Sequence, residues 1–215
     1  MIRFTKMQGI GNDFVMVDTI SEPLPSLDVG DLARKVSDRK FGIGGDGLIL
    51  VEKGNQAPFR MRMFNPDGSE SEMCGNGIRC FAKMLRDKGH LETEDVDVET
   101  GAGLLHLEIG HGGNLVTVNM GPARLTRGEI GMLGEAIESY QDIPTETMLG
   151  TLPATAVSMG NPHLVLFVAD AASVPLQVVG PELEYHPLLP NRTNVHFVQT
   201  LDRQTLIQKT WERGA

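Results

Sequence analysis

An internal repeat is the feature that most restricts what this chain can fold into. Residues 2–5 alternate as a strand, 9–12 (Gly-Ile-Gly-Asn) form a turn, and 13–18 read as a second strand. Val29, Leu32, Ala33 and Val36 then mark an amphipathic helix with Asp28 as its N-cap. Strands at 48–51 and 59–64 follow, leading into a loop that opens with Asn65. The order returns in the second half: strand 151–157, Gly-Asn turn 158–162, strand 163–168, short helix 181–186, strands 193–199 and 205–211, and a loop from Glu212. Asn161 lies 149 residues after Asn12, and self-similarity at a fixed offset marks a duplicated unit. The same offset carries Asn65 to position 214, beside Glu212-Arg213, and carries Cys74 past Ala215. The second copy is therefore expected to be incomplete. Between the copies the first half adds strands near 105–109 and 116–120, joined by a turn at 110–114. Residues 121–150 have weak periodicity, so the expected domains are 1–120 and 121–215.

Cys74 stands out within the first copy. An alternating strand precedes it, and Ile78, Phe81, Ala82 and Leu85 follow at i, i+3, i+4 and i+7, so a helix is expected to begin just after the thiol and to end at Gly89. A helix N-terminus offers free N–H groups and a positive dipole end, which favour a thiolate and can hold a carboxylate. Gly75 and Gly77 bare the backbone to a ligand. A buried structural cysteine is the plain alternative. Cys80 sits six residues on, about 9 Å away along a helix, too far for a disulfide. With no histidine at zinc-finger spacing either, both thiols are expected to be free.

Composition excludes several classes. A net charge of −9 with no basic run argues against nucleic acid as a partner. The longest apolar run, 164–169, is too short to span a bilayer, and the first residues lack a signal peptide's apolar core. Two cysteines and no export signal point to a reducing cytoplasm. The stretch 42–47 matches G-x-G-x-x-G, but a helix precedes it and a strand follows, the reverse of a dinucleotide site. His90, His106, His111, His186 and His196 lack triad or metal spacing and read as surface or core histidines.

Six motifs occur together and in order: 11–14 (Gly-Asn-Asp-Phe), 64–69 (Phe-Asn-Pro-Asp-Gly-Ser), 73–80 (Met-Cys-Gly-Asn-Gly-Ile-Arg-Cys), 160–163 (Gly-Asn-Pro-His), 192–195 (Arg-Thr-Asn-Val) and 211–215 (Trp-Glu-Arg-Gly-Ala). The set closely resembles the diaminopimelate epimerase family. That resemblance implies an α+β fold of two pseudo-symmetric domains, each a mostly antiparallel sheet rolled around a central helix, the second domain incomplete here. It implies an isomerase that interconverts LL- and meso-diaminopimelate on the route to lysine and peptidoglycan, with no cofactor and no metal.

Two thiols on opposite faces of an α-carbon suit such chemistry, one removing a proton as thiolate while the other returns one. By the resemblance Cys74 is expected to be one of them, with the N–H groups of Gly75 and Asn76 as donors to the substrate carboxylate. By resemblance Asn12, Asn65, Asn161 and Asn194 contact substrate, Arg213 grips the distal carboxylate, and Glu212 meets an ammonium or orients a catalytic group. His163 orients a thiol. Any one of these asparagines alone is more often a turn residue. The family's second cysteine lies in a Cys-Gly-Thr-Gly turn soon after Glu-Arg-Gly-Ala, and this sequence ends first. The 215 residues by themselves are therefore expected not to epimerise. The expected partner is a small-molecule substrate, without nucleic acid or membrane, and a homodimer is the candidate assembly. The rival readings are a two-thiol racemase of the proline racemase type, and a non-catalytic binding module if 215 residues is the natural length.

Overall fold

The computed structural model describes residues 2–213, which form two compact units meeting in sequence between Gly121 and Pro122. The first contains β1 (Thr5–Gly9), β2 (Asn12–Asp18), α1 (Val29–Ser37), β3 (Gly47–Lys53), β4 (Phe59–Phe64), β5 (Glu70–Ser71), α2 (Gly75–Asp87), β6 (Asp95–Thr100), β7 (Gly103–Gly110) and β8 (Leu115–Asn119). Its sheet runs β1-β2-β3-β4-β6-β7-β8, with β5 beside β4. The β2–β3 and β4–β6 pairs are parallel and the others antiparallel.

Strand alternation divides the apolar residues between two layers. Phe14, Met16, Ile49, Val51, Met61 and Met63 pack with Ile78, Phe81 and Leu85 of α2. Val15, Val17, Leu48, Leu50 and Phe64 pack with Ala33 of α1 and the half-buried Val29, Leu32 and Val36. Both faces of β2 and β3 are covered, so these strands are continuously apolar. A helix as short as α2, Gly75–Asp87, is marginal alone. Four large side chains, Ile78, Phe81, Met84 and Leu85, are buried on it, each contributing roughly 2 kcal/mol, so packing holds the helix. Its end is a Schellman motif: Gly89, at φ +73°, donates to Arg86 O (3.0 Å) and His90 N–H donates to Leu85 O (2.9 Å).

The second unit holds α3 (Arg127–Ile130), β9 (Ile143–Thr147), β10 (Gly150–Ser158), β11 (Pro162–Phe167), α4 (Leu176–Glu184), β12 (Asn194–Thr200) and β13 (Leu206–Trp211). Its sheet order is β13-β12-β11-β10-β9. The topology β1-β2-α1-β3-β4 recurs as β10-β11-α4-β12-β13, with an antiparallel pair, a parallel crossover through a helix, and a second antiparallel pair. Register refines the repeat. Phe14 pairs with Gly47 as His163 pairs with Asn194, and Leu48 pairs with Phe64 as Val195 pairs with Trp211. The offset is therefore 149 before the crossover and 147 after it, which places Glu212, not position 214, at the counterpart of Asn65.

Other boundaries differ from the sequence expectation. The first strand is Thr5–Gly9 rather than 2–5, because pairing with β2 around a two-residue turn fixes its register. Strand β6 was not anticipated, its acidic outer positions masking the buried Val96 and Val98. Nor was β9, which pairs with β10 inside the weakly periodic stretch. Helix α4 begins at Leu176 and carries Pro181 inside it, since burial of Val179 and Leu183 outweighs the proline.

A Cβ on Gly180 would stand 2.5 Å from Cγ of Trp211, whose Nε1–H donates to Glu184 Oε2 at 2.7 Å. Gly180→Ala gains about 1 kcal/mol of helix propensity but displaces that ring, a packing cost of about 1–3 kcal/mol. The expected outcome is a lower urea midpoint, measured by tryptophan fluorescence.

Candidate active site

In the first unit Cys74 is the N-cap of α2, with extended backbone (φ −141°, ψ 115°), and its Sγ accepts the Gly77 N–H at 3.4 Å. The sulfur thus occupies the place where a capping oxygen normally meets the helix N-terminus. A Cβ on Gly75 would meet nothing within 4 Å, so the backbone beside the thiol lies open. Cys80 is buried in the same helix, and burial pushes its thiol up, which suits a packing role rather than proton transfer. Among the described residues neither cysteine is in a disulfide.

Asn12 starts β2 and Asn76 lies in the first turn of α2; their carboxamides meet, Asn76 Nδ2 donating to Asn12 Oδ1. Arg79 donates to Asn76 Oδ1, and Asn12 Nδ2 donates to Asp46 Oδ2 at 3.1 Å. Asp46 also accepts the Asp13 N–H at 2.9 Å and pairs with Arg39 at 2.7 Å. Arg39 and Lys6 both bond the Asp13 carboxylate (2.7 and 2.8 Å) and hold it far below the usual carboxylate range. Asn65 bonds within its own loop, its N–H to Ser69 O (2.8 Å) and Nδ2 to Ser69 Oγ (3.0 Å).

In the second unit Asn161 Oδ1 lies 2.9 Å from His163 Nε2, and His163 Nδ1 lies 2.8 Å from His196 Nε2. With the carboxamide oxygen accepting, Nε2 of His163 carries its proton, and Nδ1 accepts from His196. His196 Nδ1 in turn faces Thr210 Oγ1 (3.0 Å) and Gln208 Nε2 (2.9 Å). One donating and one accepting nitrogen on each ring is the bonding pattern of two neutral imidazoles. Burial, reinforced by His196 and Arg213, pushes His163 down to about 4, and burial also lowers His196. Asn194 Nδ2 donates to Pro162 O (3.1 Å) while its Oδ1 accepts the Arg213 N–H (3.0 Å), tying the Arg213 backbone to the turn that carries Asn161. Glu212 is exposed where β13 ends.

The structure thus joins Asn12 to Asn76 beside Cys74, and joins Asn161, His163, Asn194 and Arg213 in a second cluster. Sequence reasoning missed Asp46, Arg79 and His196 as members. Arg79, three residues after Asn76, had a helical spacing that could have pointed to it. Asp46 lay inside the glycine pattern judged only as a dinucleotide motif. His196, read as an ordinary core or surface histidine, comes within hydrogen-bond reach of His163 only through the β11–β12 register. Among the described residues no group of His, Cys, Asp and Glu is arranged to hold a metal ion, and no helix is long and apolar enough to cross a membrane.

The sequence pattern of the diaminopimelate epimerase family matches residues 4–126 and 155–215. The chain belongs to that family. The diaminopimelate epimerase of Moorella thermoacetica is 51% identical over the whole chain, which covers 77% of that relative. The enzyme of the same name from Pelotomaculum thermopropionicum is 47% identical with the same coverage. Solved structures agree on the fold. A hydroxyproline epimerase from Agrobacterium vitis has a TM-score of 0.66 at 16% identity, covering 99% of this chain and 70% of that one. A Bacillus anthracis phenazine biosynthesis protein of the PhzF family has a TM-score of 0.61 at 20% identity, covering 98% and 71%. The family fold is thus an α+β, curled, mostly antiparallel sheet, here rolled around α2.

The neutral histidine pair gives a pH dependence with a definite sign. His163 is lowered from 6.5 to about 4, so between those values the unfolded chain binds a proton that the folded one refuses. Its contribution to stability is full above pH 6.5 and is lost as pH falls toward 4. Denaturant midpoints measured across this window are expected to fall with pH, more steeply in the wild type than in His163→Gln.

Proposed function

We propose that the chain carries the site of a cofactor-independent epimerase that acts on diaminopimelate, with Cys74 as one of its two acid–base thiols. The observation that carries this reading is the position of the sulfur: an N-cap thiol receiving the Gly77 N–H, on a helix packed into the core of its unit. As thiolate it takes the α-proton of the substrate, and the electron pair left on carbon spreads into the carboxylate. The first N–H groups of α2, at Gly75 and Asn76, have no acceptor within the helix and stabilise that charge. Cys80 is not the partner thiol, because it is buried two turns into the same helix.

The remaining roles follow the family pattern. Asn12, Asn65, Asn161 and Asn194 contact substrate, Arg213 takes the distal carboxylate and Glu212 an ammonium. His163, with both ring nitrogens already bonded, acts by holding Asn161. The substrate is a small molecule polar at both ends, which Arg213 and the several asparagines suit better than they suit a small cyclic amino acid such as proline. The net charge of −9 without a basic run argues against nucleic acid as a partner, the two cysteines fit a reducing cytoplasm, and the family resemblance supports a homodimer.

An aziridine analogue of diaminopimelate tests the site. The Cys74 thiolate attacks a ring carbon, a C–S bond forms, the C–N bond breaks, and the nitrogen takes a proton from water. Intact mass is expected to rise by one inhibitor in the wild type and in Cys80→Ser but not in Cys74→Ser. Protection is expected from meso-diaminopimelate and not from L-proline. An unlabelled Cys74 in the wild type would overturn the reading.

A further inference from the structure

The hydrogen bonds around Asn12 and Asn76 run in one direction, and the charged groups at their two ends set that direction. Arg79 is a guanidinium and only donates; it bonds Asn76 Oδ1. Asp46 is a carboxylate and only accepts; it takes Asn12 Nδ2 at 3.1 Å. Between them Asn76 Nδ2 donates to Asn12 Oδ1. A carboxamide can be turned end for end at little cost where its neighbours are ambivalent. Here neither can turn. Flipping Asn76 would set its NH2 against the guanidinium, and flipping Asn12 would set its oxygen against the Asp46 carboxylate.

We propose that Asp46 and Arg79 are positioning residues that lock the Asn12 and Asn76 carboxamides as hydrogen-bond donors beside Cys74. Both amide oxygens are engaged inside the chain, while among the described residues each amide nitrogen has one acceptor and keeps its second N–H unengaged. The ligand-facing chemistry is that of two fixed donors, which suits a carboxylate and offers nothing to an ammonium group. Asp46 is itself fixed by the Asp13 N–H (2.9 Å) and by Arg39 (2.7 Å), which turns its negative charge toward the turn and the guanidinium. The lock joins the start of β2 to the loop before β3 and to α2, segments that the sequence separates by 34 and 64 residues. The consequence for catalysis rests on the diaminopimelate reading above; the lock itself does not.

Two measurements on the full chain test it. In the ligand-free protein, the side-chain NH2 resonances of Asn12 and Asn76 are expected to shift in ¹⁵N NMR spectra of Asp46→Ala and of Arg79→Met. They are expected to stay near the wild-type positions in Asp46→Asn and Arg79→Lys, which keep an acceptor and a donor at the two ends. In aziridine labelling, the inhibitor concentration for half-maximal rate is expected to rise about tenfold in Asp46→Ala and in Arg79→Met, the effect of one mis-set hydrogen bond. The conservative variants are expected to restore it. Reaction of Cys74 with neutral iodoacetamide supplies the baseline, so that a general loss of structure is seen as a change there and in Tm. Arg79→Met keeps the test open if Asp46→Ala does not fold, because Arg79 does not hold the turn. Unmoved resonances in both disruptive variants would overturn the lock. Moved resonances with unchanged half-maximal concentrations would overturn its role in binding. A wild type that the aziridine fails to label would instead count against the diaminopimelate reading, with the NMR result still deciding the lock.

Discussion

Burial of α2 against the sheet is the interaction on which the first unit depends. Ile78, Phe81 and Leu85 fill the space over Phe14, Met16, Ile49, Val51, Met61 and Met63, and α1 covers the opposite side of the same strands. A one-residue slip of β2 or β3 would exchange the two apolar layers, so the register has little freedom. With the register set, the start of β2 and the loop before β3 meet the first turn of α2, and Asn12, Asp46 and Asn76 come within bonding distance. The core fixes the frame, and the thiol at the helix N-terminus is aimed by it.

The second unit shows what duplication retained and what it changed. On the face that packs α1 or α4, the apolar pattern persists: Val15, Val17, Leu48, Leu50 and Phe64 correspond to Leu164, Leu166, Val195, Phe197 and Trp211. On the other face Phe14, Ile49, Met61 and Met63 correspond to His163, His196, Gln208 and Thr210. A dry layer in one copy gains a hydrogen-bonded polar patch in the other, beside Val165 and Val198, which keep the apolar character of Met16 and Val51. The histidines remain neutral there because burial makes their charge costly and each ring nitrogen already has a partner. Divergence confined to one face leaves the topology intact, since the crossover and its helix rest on the conserved layer.

Much of this was legible in the residues. The periodicity of β2, β3 and β4, the start of α2 just after Cys74, and its stop at Gly89 all follow from local pattern and capping chemistry. So does the repeat, which the topology reproduces with two residues fewer in the second crossover. The failures are equally local. Residues 2–4 alternate without joining the strand that begins at Thr5, and Asp95–Thr100 becomes one under acidic side chains, because pairing partners rather than pattern decide.

By itself the sequence determined most of the elements, the duplication and the place of Cys74 at a helix N-terminus, since caps, glycines and apolar spacing act over a few residues. Tertiary structure alone decided which polar groups face one another. Asn12, Asp46 and Asn76 are spread along the chain, as are His163 and His196, and each is an ordinary residue in its own segment. Their hydrogen bonds have a direction only when the partner is known, and strand register, set by the buried layers, supplies the partner.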